Sequence, residues 1–387
     1  MADQSSFGWL SVGLKKAKPF LAMVSLQFGY AGMYIITIIA LKKGMSHYIL
    51  SVYRHVIAFL IMAPFALVLE RKVRPKLTLP IFLRIMALGL LEPVLDQNLY
   101  NVGMTYTSAT MGATFVNMLP AVTFILAMIF RLEKVNVKKF HSVAKVIGTV
   151  ITVMGAMVMT LYTGPAIHFI KSAGAIHHGN TTESDKHNHF IGILLLFGSI
   201  CSWSGFFILQ SFTLKKYPAE LSLTALVCLV GAVEGAVVSL IFERDMSVWK
   251  VGFNSKFVAI AYSGVVCSGI AYYVQGVVIR ERGPVFLTSF SPLCMIITAT
   301  LGAIVLKELI HLGSILGAIL IVIGLYTVVW GKSKDTKSTS EESIMTKDIG
   351  KNQELPIVDH GGIIDGPVKI LKIPAADNIR SDSIVSK

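Results

Sequence analysis

Glu92, Asp96, Gln97 and Asn98 crowd into two helical turns of an otherwise apolar stretch, Leu88–Phe130, which also carries Pro93, Asn117 and Pro120. A buried acid or amide is costly in hydrocarbon unless it faces protein or a water-filled cavity. Prolines there free carbonyls that must be satisfied internally. Glu92 and Asp96 are four residues apart, so on a helix they share a face, with Tyr100 one turn further on. Two carboxyl groups at that spacing repel when both are charged, which suits one of them to carrying a proton. The competing reading is a polar network that fixes helix packing. Glu234, the lone acid of Leu229–Leu240, is a second candidate proton or cation site, set against a packed structural acid. Gln27, Gln97, Asn117 and Ser289 are candidates to bind a carboxylate or amine, and Tyr30, Tyr100, Trp203 and Tyr273 to cover apolar parts of a ligand. Arg54 either snorkels outward or faces the interior, paired with an acid or an anionic substrate group.

Elements that position these residues follow from hydropathy. The 387-residue chain is 54% hydrophobic and 15% charged, with mean hydropathy +0.68. A soluble domain carries about a quarter charged residues. Ten segments reach or approach the roughly 20 apolar residues that cross a bilayer, at about 20–41, 48–69, 81–101, 111–130, 143–162, 190–210, 220–242, 256–276, 285–306 and 311–330. The fold expected is an all-α polytopic membrane protein.

The two halves echo each other. Tyr100 matches Tyr272 and Pro120 matches Pro292, both 172 residues apart, which sets Asn117 against Ser289. Leu41-Lys42-Lys43 meets Leu214-Lys215-Lys216, and Gly148 and Gly155 meet Gly317 and Gly324. Five spans per half insert the second half upside down, the inverted-repeat plan of secondary transporters, with substrate near mid-membrane between the halves. Pro93, Pro120 and Pro292 mark expected helix breaks. The copies diverge at Asp96 and Gln97, which meet Ser268 and Gly269, so substrate contacts are expected to be asymmetric.

A formal charge of +13 could point to nucleic acid, but the charges sit in alternate links. With the N-terminus inside, the cytoplasmic links receive 17 Lys and Arg before the tail and the outer links eight, as the positive-inside rule requires. Both termini are then cytoplasmic. The expected domains are a cytoplasmic lead at 1–19, a five-helix repeat at 20–162, an extracytoplasmic linker at 163–189, a second repeat at 190–330 and a disordered cytoplasmic tail at 331–387. Met1–Phe7 is polar and the first apolar run lacks a cleavage site, so that span is expected to be retained. The linker holds the sequon Asn180-Thr181-Thr182, a glycosylation site if it faces the lumen or exterior. Its histidines read as solvated linker ahead of weak metal ligands. Cys201, Cys228, Cys267 and Cys294 all fall within spans, as small apolar filler. No P-loop, HExxH, CxxC or GxSxG is present, nor a metal-spaced cluster. No enzyme, cofactor or metal is therefore expected.

The motifs LQFGYAGM, YRH, RKVRPKLT, LEPVLDQNLY, LPAVTFILA, FRLEKV, GPVFLTSFSP and HLGSILGA closely resemble the plant nodulin-21-like, or walls-are-thin-related, transporters of the drug/metabolite transporter superfamily with paired EamA domains. The resemblance covers about residues 18–334. It implies ten helices in two inverted five-helix halves and the movement of amino acids, with an auxin-like or other small organic substrate in some members. It also implies the plasma membrane, or in other members the vacuolar membrane. The expectation is an alternating-access carrier, most of all for amino acids, with auxin or another small metabolite as the alternative and a non-transporting receptor or scaffold as the rival. Its partners are a small-molecule substrate and membrane lipid, with proton coupling and a homodimer both allowed. The orientation has a direct check. A cysteine placed at Asn180 should react with an impermeant thiol reagent in sealed cells; labelling only after permeabilisation would invert the topology.

Overall fold

The computed structural model describes residues 3–107, 109–133, 135, 138–162, 166–167, 183–244, 246–252, 255–302, 304 and 310–351; of these, 3–16, 42, 109–110, 166–167, 183–187, 246–247, 310–311 and 335–351 are described by backbone alone. Asn180 and the loop around it lie outside them. Nine described helices are long and apolar enough to cross a membrane. One more run is equally long but more polar: Leu79–Gly89, Leu90–Asp96 and Gln97–Tyr106 follow one another without a break, and Arg84, Glu92 and Asp96 dilute its apolarity. In chain order the helices are Asp3–Lys42, His47–Leu69, this third run, a broken fourth (Ala109–Asn117 and Leu119–Ile129), Phe140–Leu161 and Glu183–Lys216. They continue with Glu220–Phe242, an eighth run (Ser255–Tyr262, Ser263–Ile270, Ala271–Arg282), a broken ninth (Pro284–Thr288 and Ser291–Leu301) and Leu312–Lys351. Helices dominate because hydrocarbon offers backbone groups no other partner.

Two element ends differ from expectation. The first helix starts at Asp3 and runs through Pro19, so the lead is helical with the span that follows it. The tenth helix passes Trp330 and continues to Lys351; no proline interrupts the chain until Pro356. Residues 352–387 lie outside the described set.

The irregularities come in matched pairs. Leu90–Asp96 is a π-helical segment containing Pro93, and Ser263–Ile270 is its counterpart in the eighth helix. A proline gives no N–H and crowds the preceding turn, so a locally widened helix accommodates it. The second copy has no proline there; Gly264 and Gly269 occupy its π segment. The fourth helix breaks at Met118, two residues before Pro120, and the ninth at Ser289–Phe290, before Pro292. Gly283, at φ +86°, turns the eighth helix directly into the ninth, a conformation that favours glycine.

Packing sorts eight helices into two groups of four. The third packs on the sixth, through Gly103 against Gly192 and Leu196, and on the seventh, where Gly231 meets Pro93. The fourth joins them through Thr123 Oγ1, which donates to Ser204 Oγ at 3.2 Å. In the other group the first helix packs on the eighth, with the Tyr262 hydroxyl donating to the Gly29 carbonyl at 3.2 Å. It packs on the ninth through Phe20, Phe286 and Phe290. The second packs on the eighth, where Gly264 lies against Ile57 and the Arg54 carbonyl. Each group draws two helices from each half, and exchanging the halves exchanges the groups. They meet along an antiparallel contact of the second and seventh helices, through Met62, Ala66 and Ala225.

The fifth and tenth helices pair antiparallel beside these groups. Gly148 lies against Gly324 and Val328, and Gly155 against Gly317 and Ile321. A two-residue antiparallel ladder, Ala166 with His311 and Ile167 with Ile310, adjoins one end of this pair. At the other end Glu133 is held between Lys145, at 2.7 Å, and Lys332. The contact leaves no room for side chains: a Cβ on Gly324 would lie 2.5 Å from the Thr152 backbone nitrogen and 2.8 Å from the Gly148 carbonyl oxygen. Gly324→Ala should therefore destabilise the protein by about 1–3 kcal/mol, read as a lowered Tm in detergent. Gly198→Ala, whose Cβ would meet only Leu99 at 3.4 Å, should leave Tm nearly unchanged.

Candidate functional site

The polar cluster of the third helix is answered across the seam between the two groups. Arg54, on the second helix, is buried. Its Nη2 lies 3.4 Å from Glu92 Oε1. Gln97 Nε2 donates to the same Glu92 oxygen at 3.3 Å and to Asp96 Oδ2 at 3.5 Å. From the sixth helix, Ser199 Oγ donates to Asp96 Oδ1 at 2.5 Å. The widened π turn carries both acids, and both are buried. Sequence spacing alone indicated a shared face; the structure adds the partners.

The cluster is under-satisfied. Among the described residues, Arg54 Nε and Glu92 Oε2 are buried without a hydrogen-bond partner, at about 1–3 kcal/mol or more for each orphaned group. One guanidinium faces two carboxyl groups. Charge balance in a low-dielectric interior calls for a further proton or a second charged species.

Further buried polar groups lie in the same core. His55 is fully buried beside Arg54. Its Nδ1 lies 2.7 Å from the Ser51 carbonyl oxygen, an acceptor, so Nδ1 carries the proton. In the neutral ring Nε2 is then free to accept from the Tyr272 hydroxyl at 3.4 Å. Gln275 Nε2 donates to the Tyr30 hydroxyl at 2.6 Å. Gln275 Oε1 and Ser268 Oγ, both buried, have no hydrogen-bond partner among the described residues. Aromatic rings line the same core: Trp203 lies 6.1 Å from Phe207, and Phe206 lies 5.6 Å from Tyr272 across the seam.

The remaining sequence candidates are distributed unevenly. Gln27 is buried on the first helix, and Tyr30 and Trp203 pack against the main core. The Tyr100 hydroxyl approaches Gly112 of the fourth helix. Asn117 is not joined to Gln97: its Nδ2 donates to Thr160 Oγ1 at 3.0 Å and reaches the Ala156 carbonyl at 3.5 Å, both on the fifth helix. Ser289 Oγ turns back onto the Val285 carbonyl of its own helix at 2.7 Å. Tyr273 packs with Met62, Ala66 and Ala225 at the seam. Glu234 is half-buried, with Oε2 lying against Gly89 and without a hydrogen-bond partner among the described residues. Ser199 was not among the candidates. Its only signal is a serine where the first half has Leu26, and many such serines bond only their own helix.

The EamA-like transporter family matches residues 17–161 and 190–330. Two Arabidopsis thaliana proteins, WAT1-related protein At4g08300 and WAT1-related protein At1g44800, are 61% and 60% identical to the chain. The first aligns over 91% of this chain and 94% of its own length, the second over 89% and 93%. One solved crystal structure superposes with TM-score 0.63 at 16% identity, covering 81% of this chain and 98% of its own, a likeness of fold alone. The chain belongs to the EamA-like, WAT1-related family of the drug/metabolite transporter superfamily, with two EamA domains; it is a multi-pass small-molecule transporter and not an enzyme.

Removing one partner of the central pair has a predictable signature. Arg54→Gln leaves Glu92 as an unmatched buried acid and should cost about 3–5 kcal/mol. Adding Glu92→Gln should recover most of the lost Tm in detergent. Equal damage from the single and the double variant would show that the pair is not coupled.

Proposed function

We propose that this chain is a secondary carrier for small organic carboxylates, auxin or a metabolite of that kind, moved by alternating access. The observation that carries the reading is Arg54: a buried guanidinium at the seam between two helix groups, held by a long bond to one acid, with its Nε unpartnered. A guanidinium binds a carboxylate through two parallel N–H donors, so an organic acid can take the place that Glu92 holds beside it. Tyr30, Trp203, Phe206 and Tyr272 belong to the apolar core that the central helices share, and their rings would cover a ring or apolar tail. The auxin-like substrates implied by the family resemblance share this chemistry, an aromatic body with one carboxylate.

Glu92, displaced from Arg54, requires a new counter-charge, and a proton supplies it. Gln97 bridges Glu92 and Asp96 and passes the consequence to Asp96, which Ser199 anchors to the sixth helix. Substrate and proton movement are thereby linked, in the plasma membrane with both termini cytoplasmic. A second reading, an amino acid as substrate, draws on the unpartnered Glu92 Oε2, which could receive an ammonium while Arg54 holds the carboxylate.

Proteoliposomes separate the two. Indole-3-acetate uptake should be saturable, and tryptophan, the same ring system with an added ammonium, should compete poorly. Arg54→Lys keeps the charge but loses the planar fork and should weaken apparent affinity by about one to two decades. Glu92→Gln, which cannot take up a proton, should abolish accumulation driven by a pH gradient while sparing exchange of bound substrate. Tryptophan flux exceeding that of the acid would favour the amino-acid reading, and no flux of either would remove the carboxylate site.

A further inference from the structure

The second helix, His47–Leu69, and the seventh, Glu220–Phe242, are each 23 residues long. Each is followed at once by an acid and an arginine: Glu70-Arg71 after the second, Glu243-Arg244 after the seventh, 173 residues apart. Both acids are the C-terminal cap residues of their helices. An acid is unfavourable at its own helix's C-terminus, where the macrodipole is negative, and favourable at another helix's N-terminus. In this antiparallel pair each acid stands beside the N-terminus of the neighbour.

Among the described residues only Glu70 is engaged as a cap. Glu70 Oε1 accepts from the Leu221 backbone N–H at 2.9 Å, and Oε2 from the Ser222 N–H at 2.7 Å. The seventh helix has no side-chain cap of its own, because Ala219 precedes it. Glu70 thus caps that helix from across the seam. The Glu220–Arg280 ion pair joins the seventh helix to the eighth, across the seam at the same end. At the opposite end Glu243 is half-buried and within electrostatic reach of His47 and Tyr48, and Phe242 stacks on Tyr48 with ring centroids 5.8 Å apart. Yet among the described residues Glu243 takes no hydrogen bond from the Tyr48 or Ile49 N–H, the groups that correspond to Leu221 and Ser222. Ser46, the cap residue of the second helix, makes no side-chain cap bond either. The first N–H groups of that helix are unclaimed by the partner that the repeat sets beside them.

We propose that Glu70 and Glu243 are a matched pair of gate residues. Glu70 closes one end of the seam by capping the seventh helix, and Glu243 closes the other by capping the second helix when the two four-helix groups rock into the opposite-facing state. The halves are related by inversion, so the two states exchange the roles of the two ends. The ends are not equivalent in strength. His47 stands where the other copy has Glu220, so the Glu243 end lacks a counterpart of the ion pair with Arg280 and depends more heavily on its cap. This rests on the alternating-access reading but not on the identity of the substrate.

Hydrogen exchange on the full chain in lipid nanodiscs, with no substrate present, reads both caps directly. In the wild type the Leu221 and Ser222 amides should exchange slowly and the Tyr48 and Ile49 amides faster. Glu70→Ala should speed exchange at 221–222 by about tenfold or more and, reciprocally, slow it at 48–49. Adding Glu243→Ala should cancel the slowing at 48–49 while leaving 221–222 fast. Unchanged protection in the fifth helix, Phe140–Leu161, serves as the folding control. Should Glu70→Ala fail that control, Glu70→Gln, which keeps one acceptor, should give a smaller shift of the same sign at both ends. Faster exchange at 221–222 without slower exchange at 48–49 would make Glu70 a static cap and overturn the proposal, as would no change at either end. Because no substrate enters the measurement, a failed carboxylate flux assay leaves this test intact, and the reverse also holds.

Discussion

The Arg54–Glu92 pair joins two groups of four helices at a buried point of their seam, and the arrangement around it follows from the difficulty of keeping charge there. Bringing two ions out of water is expensive, and their attraction offsets it only with good geometry and full hydrogen bonding. At 3.4 Å, with an orphan atom on each partner, this pair has neither. A tighter pair would hold the two groups in one relation. A looser one leaves a site that another charged species can complete. Gln97, Asp96 and Ser199 continue the network into the third and sixth helices, so the state of the pair is felt through the group that holds Glu92.

Backbone symmetry and side-chain asymmetry do different things here. The π segments of the third and eighth helices, and the breaks in the fourth and ninth, repeat at matched positions. Only the first of the two π segments carries acids; the second has Ser268 where the first has Asp96, and Gly269 stands where Gln97 follows it. An inverted repeat needs equivalent hinges to visit equivalent states. It does not need equivalent ligands, since one substrate has no two-fold symmetry to match. The proline in one copy and its absence in the other fit this division: Pro93 enforces the widening beside the acids, while the second copy widens at a stretch that holds Gly264 and Gly269.

The fold was largely legible because bilayer length and apolarity leave few choices, and the repeat was legible in Tyr100 with Tyr272 and Pro120 with Pro292. The third helix announced itself by being too polar for an idle span. What the sequence could not supply was the partner of each polar group, which depends on how helices rotate against one another. Asn117 and Gln97 looked alike as amides in apolar spans, yet one is spent on Thr160 and the other on the acids. Ser289 lay in a polar patch yet bonds its own helix. Arg54 read equally well as snorkelling or interior, and only the position of Glu92 decides between them. Gly331–Lys351 lacked an apolar period, but an absent period does not end a helix when no breaker interrupts it.

The proposed alternating access also needs something that does not move, and the fifth and tenth helices have the properties required. Their contact is glycine to glycine, with Cβ-sized clearance missing at Gly148, Gly155, Gly317 and Gly324. Close backbone approach of this kind gains dispersion energy over a long line and resists sliding, because any axial shift drives a side chain into a space sized for none. Beside it, Glu133 binds Lys145 and Lys332 at once. This contact differs in kind from the central one. Glu133 has a cation for each oxygen, whereas Glu92 shares a single guanidinium. A buried acid satisfied on both sides is costly to disturb; one satisfied on a single side can be drawn away. The same residue type thus anchors one helix pair and leaves the seam free to exchange partners, and the number of cations offered to each acid distinguishes the two.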